Sequence, residues 1–84
     1  MISFAPKVDE TEGFAVVINL RDHLPPHVHV FGGNAELKVS LTEDAVARRG
    51  RGRMARADER RAIALVRRKR EFYLAKWKEL ESRP

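Results

Sequence analysis

The chain contains no cysteine. That removes disulfides and every cysteine-ligated zinc or iron–sulfur site, and it fits a reducing compartment, so a cytoplasmic location is expected. No apolar run approaches the roughly 20 residues a membrane helix needs, so no membrane span is expected. Where an export signal carries basic residues, the N-terminal segment carries Asp9-Glu10-Thr11-Glu12, so no export signal is expected. No activated nucleophile or Ser–His–Asp arrangement is visible, which gives peptide or ester hydrolysis no support. Helix-turn-helix spacing is missing too.

What is present is a small, polarised chain. Its 84 residues make one small domain with little core and a formal charge of +5. The charge is unevenly placed. Residues 48–70 hold eleven Lys or Arg and two acids, a local balance of +9, and the remaining residues have a balance of −4. Arg48, Arg49, Arg51, Arg53 and Arg56 are the candidate contacts to nucleic acid or to an acidic protein partner. Among them, Gly50 and Gly52 predict a mobile loop that orders on contact.

The apolar pattern predicts an α+β fold, a small antiparallel sheet of three to four strands with one long C-terminal helix packed on one face. Residues 1–12 form a lead-in that ends in a solvated turn at Gly13. Residues 13–42 carry the sheet, 43–55 a basic loop and 56–81 the helix. Val16, Ile18 and Leu20 share one face of the first strand, and Leu37, Val39 and Leu41 share one face of the third. Between the second and third strands, Gly32-Gly33-Asn34 supplies a hairpin turn with two registers. A turn on Gly32-Gly33 sets His29 opposite Glu36, whereas one on Gly33-Asn34 sets it opposite Lys38 and sets His27 opposite Ser40. Both keep the valines inward, so hydrophobicity does not choose. Residues 45–48 fit a short edge strand or a short helix. At 100° per residue, Ala62, Ile63, Val66, Tyr73, Leu74, Trp77 and Leu80 form the helix's apolar stripe. Arg70 falls inside that stripe and must snorkel. Leu65 and Phe72 form a second patch that, with an open histidine face, suggests a homodimer.

All three histidines lie in Asp22-His23-Leu24-Pro25-Pro26-His27-Val28-His29. The Pro pair makes a rigid extended corner. After it, His27, His29 and Phe31 point to one face of a strand and Val28 and Val30 to the other. One reading is a metal site in which His23, His27 and His29 hold a divalent ion such as zinc, with Asp22 or Glu36 as a fourth ligand. Another is metal-free catalysis, in which His27 and His29 act as general base and acid on a phosphodiester while Arg21 or Lys38 steadies the negative charge. A third is purely structural, a polar strand face beside a turn.

The motif order extends this reading. Gly13-Phe14, Val16-Val17-Ile18, the Asp22-His23-x-Pro25-Pro26-His27-x-His29 core and a helix ending in Leu74-x-x-Trp77 together resemble the bacterial family known as domain of unknown function 4160. The resemblance runs from about Gly13 to Leu80. It implies a small protein without a settled biochemical role, some of whose relatives sit beside a second small protein in toxin–antitoxin-like pairs. Where the family often has a helical His, this chain has Lys69. The expected function is therefore an accessory or regulatory protein of toxin–antitoxin type that binds nucleic acid or a partner protein. The alternative is a His-dependent or metal-dependent phosphodiesterase or ribonuclease.

Overall fold

The structure is a computed structural model that describes residues 6–19 and 24–82. Five strands form one antiparallel sheet: β1 (Lys7–Thr11), β2 (Phe14–Val17), β3 (His27–Gly32), β4 (Ala35–Ser40) and β5 (Ala47–Arg49). They lie side by side in sequence order. Two helices follow, α1 (Arg56–Arg68) and α2 (Arg70–Glu81). The expected α+β class holds. Three details differ from expectation: five strands form instead of three to four, the lead-in contains a strand, and the helix is divided.

β1 lies in a segment whose acids disfavour strands, and tertiary pairing overrides that preference. Its alternation is broken by a bulge between Lys7 and Asp9, which sets Lys7 opposite Val17 and Asp9 opposite Val16. Asp9 therefore shares a face with Val16, where Lys69 bonds its carboxylate and Tyr73 Oη donates to the same oxygen at 2.8 Å. Between β1 and β2, Glu12 and Gly13 both have positive φ, at 55° and 83°, the pattern of a type I′ turn. Glu12, which lacks glycine's freedom there, is held by Arg61, whose guanidinium donates to the Glu12 carbonyl at 2.6 Å, and by an ion pair with Arg68.

The core lies between one sheet face and the helices. Phe14 and Val16, Val28 and Val30, and Leu37 and Val39 are buried there beneath Ala62, Leu65, Val66, Tyr73 and Trp77. Leu65 is a core residue, which corrects the expected Leu65–Phe72 patch; Phe72 stays 42 % exposed, with Lys69 Nζ 4.7 Å from its ring centre. Ile63, Leu74 and Leu80 are only partly buried. The buried arc is centred nearer Leu65 than the expected stripe, and the helix is interrupted at Lys69, whose φ of −107° and ψ of 21° leave helical geometry. The interruption falls where neighbouring side chains hold different parts of the sheet. Lys69 bonds Asp9 on β1, and Arg70 Nε donates to the Leu41 carbonyl just past β4 at 2.8 Å. Arg70 thus snorkels as its position requires.

The Asp9 contacts make stability depend on pH. Burial works to raise the Asp9 pKa, but the bonds from Lys69 and Tyr73 outweigh it and hold the carboxyl below its ordinary 3.8. A depressed carboxyl stabilises the fold fully above its unfolded pKa and stops doing so as pH falls through the folded value. Burial, reinforced by the bond to Asp9, pushes the Tyr73 phenol up. Its contribution is complete below the ordinary 10.0 and declines as pH rises through the folded value. Urea unfolding should therefore find Asp9→Asn destabilised at neutral pH, with the gap from the parent closing in acid. Tyr73→Phe should lose about 1–3 kcal/mol at neutral pH and flatten the alkaline limb.

Candidate functional site

The histidine motif enters the sheet through Leu24-Pro25-Pro26, where the Leu24–Pro25 bond is cis. His27 and His29 then share a face of β3. The hairpin takes the register centred on Gly33-Asn34, so His29 faces Lys38 and His27 faces Ser40. Positive φ occurs at Gly33, the first central residue, as in a type II′ turn. Gly32 pairs with Ala35 in the strand, and a Cβ there would come within 2.9 Å of the Phe14 ring.

His29 is not the exposed imidazole expected on an open face, being only 5 % accessible. Its Nδ1 lies 2.6 Å from Glu36 Oε2, and its Nε2 lies 3.1 Å from Asn19 Nδ2. Glu36 is the diagonal neighbour across the ladder and so reaches His29 even in the register that sets Lys38 opposite. An ionised carboxylate only accepts, so Nδ1–H donates to Glu36, and the Asn19 amide donates to Nε2. This is the neutral Nδ1–H tautomer, with both ring nitrogens bonded. Burial alone would raise the Glu36 pKa. The bond from His29, the Arg51 backbone N–H and the charge of Lys38 lower it below its ordinary 4.5.

His27 is half-buried. Its Nδ1 donates to the Pro25 carbonyl at 3.0 Å. Its ring centre lies 5.1 Å from that of His29 and 5.6 Å from that of Trp77. The helical layer therefore touches the histidine corner, where an open face was expected. Trp77 is core as anticipated, and its buried Nε1 has no acceptor among the described residues. His23 and Asp22 lie outside the described residues. Among those described, no three His, Asp or Glu side chains are arranged to hold a metal ion. His29 would have to release Asn19 or Glu36 to become a ligand. Lys69 is bonded to Asp9 on the helical side of the sheet, away from this corner.

Beside His27 is a surface cleft of about 550 Å³. Lys38 and Arg48, directly paired across β4 and β5, line it together with Ser40 and Thr42. Leu24, Pro25 and Val46 form its apolar margin. Lys38 was weighed from sequence and Ser40 was named opposite His27 in one register; Thr42 and Val46 were not, since they join the cleft from beyond the end of β4. Asn19 was also missed, and its only signal was a polar residue between Ile18 and Leu20.

The basic segment is better ordered than a mobile loop. Residues 47–49 pair with β4 as the expected edge-strand option. Beyond them, Gly50 N–H donates to the Glu36 carbonyl at 2.9 Å, and Glu36 N–H donates to the Arg51 carbonyl at 2.7 Å. The two glycines permit close packing. A Cβ on Gly50 would meet the Glu36 carboxylate at 2.6 Å, and one on Gly52, where φ is +70°, would meet the Asn34 carbonyl oxygen at 2.5 Å. The arginines divide between faces: Arg48 lines the cleft, while Arg49 turns to the helical side and pairs with Glu59 at 3.3 Å. Arg51, Arg53 and Arg56 are exposed. Glu36→Ala should cost about 1–3 kcal/mol in urea unfolding because His29 Nδ1–H loses its acceptor. Nitrogen NMR should find the Nδ1–H tautomer of His29 in the parent at neutral pH and lose that signature in Gly50→Ala, which displaces the Glu36 side chain.

Comparison with known proteins adds the family and nothing beyond it. No curated protein and no solved structure matches the chain significantly. The family model described as Domain of unknown function (DUF4160) matches residues 13–78. That span runs from the β1–β2 turn through the histidine corner to the turn of α2 that carries Trp77, so the chain belongs to the DUF4160 family.

Proposed function

We propose that the protein is an accessory or regulatory nucleic-acid-binding protein of toxin–antitoxin type, which contacts the phosphate backbone through its β5 edge. One observation carries this reading: Glu36 fastens residues 50 and 51 to β4 by backbone bonds, so the arginines of this segment are displayed on an ordered edge. Ordering them in advance lowers the entropy cost of binding an extended anion. Their charge also remains largely uncompensated. Arg61, Arg68 and Lys69 on α1 and just beyond it bond to Asp58, Glu12 or Asp9, whereas on the β5 side only the Arg49–Glu59 pair occurs among the described residues. Contacts of this kind position a phosphate chain without reading bases.

Binding to duplex DNA and to single-stranded RNA should weaken steeply with salt, and for each the logarithm of affinity should fall linearly with the logarithm of salt. Charge reversal at Arg51 and Arg53 should flatten that slope by roughly one for each phosphate contact removed. Affinity insensitive to salt, or unchanged by both reversals, would count against this reading. A second reading, a phosphodiesterase, draws on the position of His27 in a cleft that also holds Lys38 and Arg48. It requires turnover on an RNA substrate that His27→Ala abolishes while binding persists.

A further inference from the structure

The cleft is built differently from the arginine edge, because it combines cations, hydroxyls and apolar walls. Of the large apolar side chains exposed among the described residues, two are at its margin: Leu24 at 67 % and Val46 at 55 %. Leu24 precedes β3 and Val46 precedes β5. Both strands run antiparallel to the β4 between them, so the two side chains flank the end of β4 from either side. Exposed apolar groups facing one concavity favour a ligand with a flat or apolar body.

The polar part of the cleft suits an anion. Lys38 and Arg48 are cross-strand partners, and neither forms an ion pair among the described residues. Ser40 Oγ lies 2.9 Å from Thr42 Oγ1 and also accepts the Val46 backbone N–H at 2.8 Å. The two hydroxyls carry two hydrogens, and one bridges them. Whichever residue donates that bridge, the other keeps one O–H to offer. The cleft thus presents a guanidinium, an ammonium and one hydroxyl donor, a set matched to phosphate oxygens.

We propose that the cleft is a nucleotide-binding site, in which Lys38, Arg48 and the Ser40–Thr42 pair hold the phosphate and Leu24 and Val46 carry the base or sugar. The nucleotide comes either free or as the phosphorylated end of a strand. Arg48 belongs to both the cleft and the β5 edge, but Lys38, Ser40 and Thr42 lie outside that edge and Arg51 and Arg53 outside the cleft, so either reading can fail alone.

The test is a titration of the whole protein at low salt with inorganic phosphate, AMP, UMP and a 5′-phosphorylated oligonucleotide, followed by amide NMR. The mononucleotides should shift the signals of Lys38, Ser40, Thr42, Val46 and Arg48 and bind at least roughly tenfold tighter than inorganic phosphate. Lys38→Gln should weaken them roughly tenfold or more, and Val46→Ser should narrow their advantage over inorganic phosphate. Both positions are exposed at or near the sheet edge, and Arg67→Gln, an exposed cation on α1, serves as a control outside the cleft that should leave mononucleotide affinity unchanged. An oligonucleotide that shifts the same residues more tightly than the mononucleotides identifies a strand end as the source. One that leaves the cleft unshifted identifies a free nucleotide. Equal affinity for phosphate and mononucleotides overturns the proposal. So does an absence of cleft shifts, or shifts centred on residues 51–56, and in that last case backbone binding by the arginine edge would still stand.

Discussion

The Glu36 side chain and backbone hold together the parts of this protein most suited to function. Its carboxylate accepts the His29 Nδ1–H, fixing the tautomer of a buried imidazole. Its backbone N–H and carbonyl bond Arg51 and Gly50, extending the sheet past β5 and aligning the basic segment. A glycine at residue 50 is what allows that carboxylate to sit where it does. The histidine network and the arginine edge are therefore one mechanical unit. Disturbing the edge at Gly50 reaches His29 through a single side chain, with no rearrangement of the helical layer.

Charge is sorted in the same structure. β1 and its turn carry Asp9 and Glu12, and they receive Lys69, Arg61 and Arg68 from the helical layer. The opposite sheet edge, β5, carries Arg48 and Arg49, with Arg51 following. A run that reads as one basic block in sequence thus has two roles: its helical half neutralises the acidic edge, and its earlier half supplies the basic edge. Linear charge counting does not separate the two, because the pairs join residues 49 or more positions apart.

Much of the fold was legible in the sequence. The period-2 pattern of Val28, Val30, Leu37 and Val39 marks the core face of β3 and β4, and the structure keeps it. The shared face of His27 and His29 follows from the same period. What escaped depends on contacts between distant elements. β1 depends on a bulge that brings Asp9 to Lys69 and Tyr73, and Leu65 is buried with Ala62 and Val66 on the face that α1 turns to the sheet. The burial of His29 escaped for a different reason, since a polar side chain can be inside when its partners are Glu36 and Asn19, and neither spacing nor hydropathy reports those bonds.

The sequential strand order bears on how the chain reaches this structure. Every strand pairs with its neighbour in sequence, so the sheet can assemble through short loop closures and has low contact order. The helices come last in the chain, and their ties to β1 close much longer loops, 60 residues for Lys69 to Asp9 and 64 for Tyr73 to Asp9. If those longer, costlier closures come after the meander, they lie late on the folding path. The acid–phenol–ammonium contact would then form after the folding transition state, so weakening it would mainly hasten unfolding and leave the folding rate little changed. In this protein, lifetime in the native state would be governed by the helical latch and speed of assembly by the sheet.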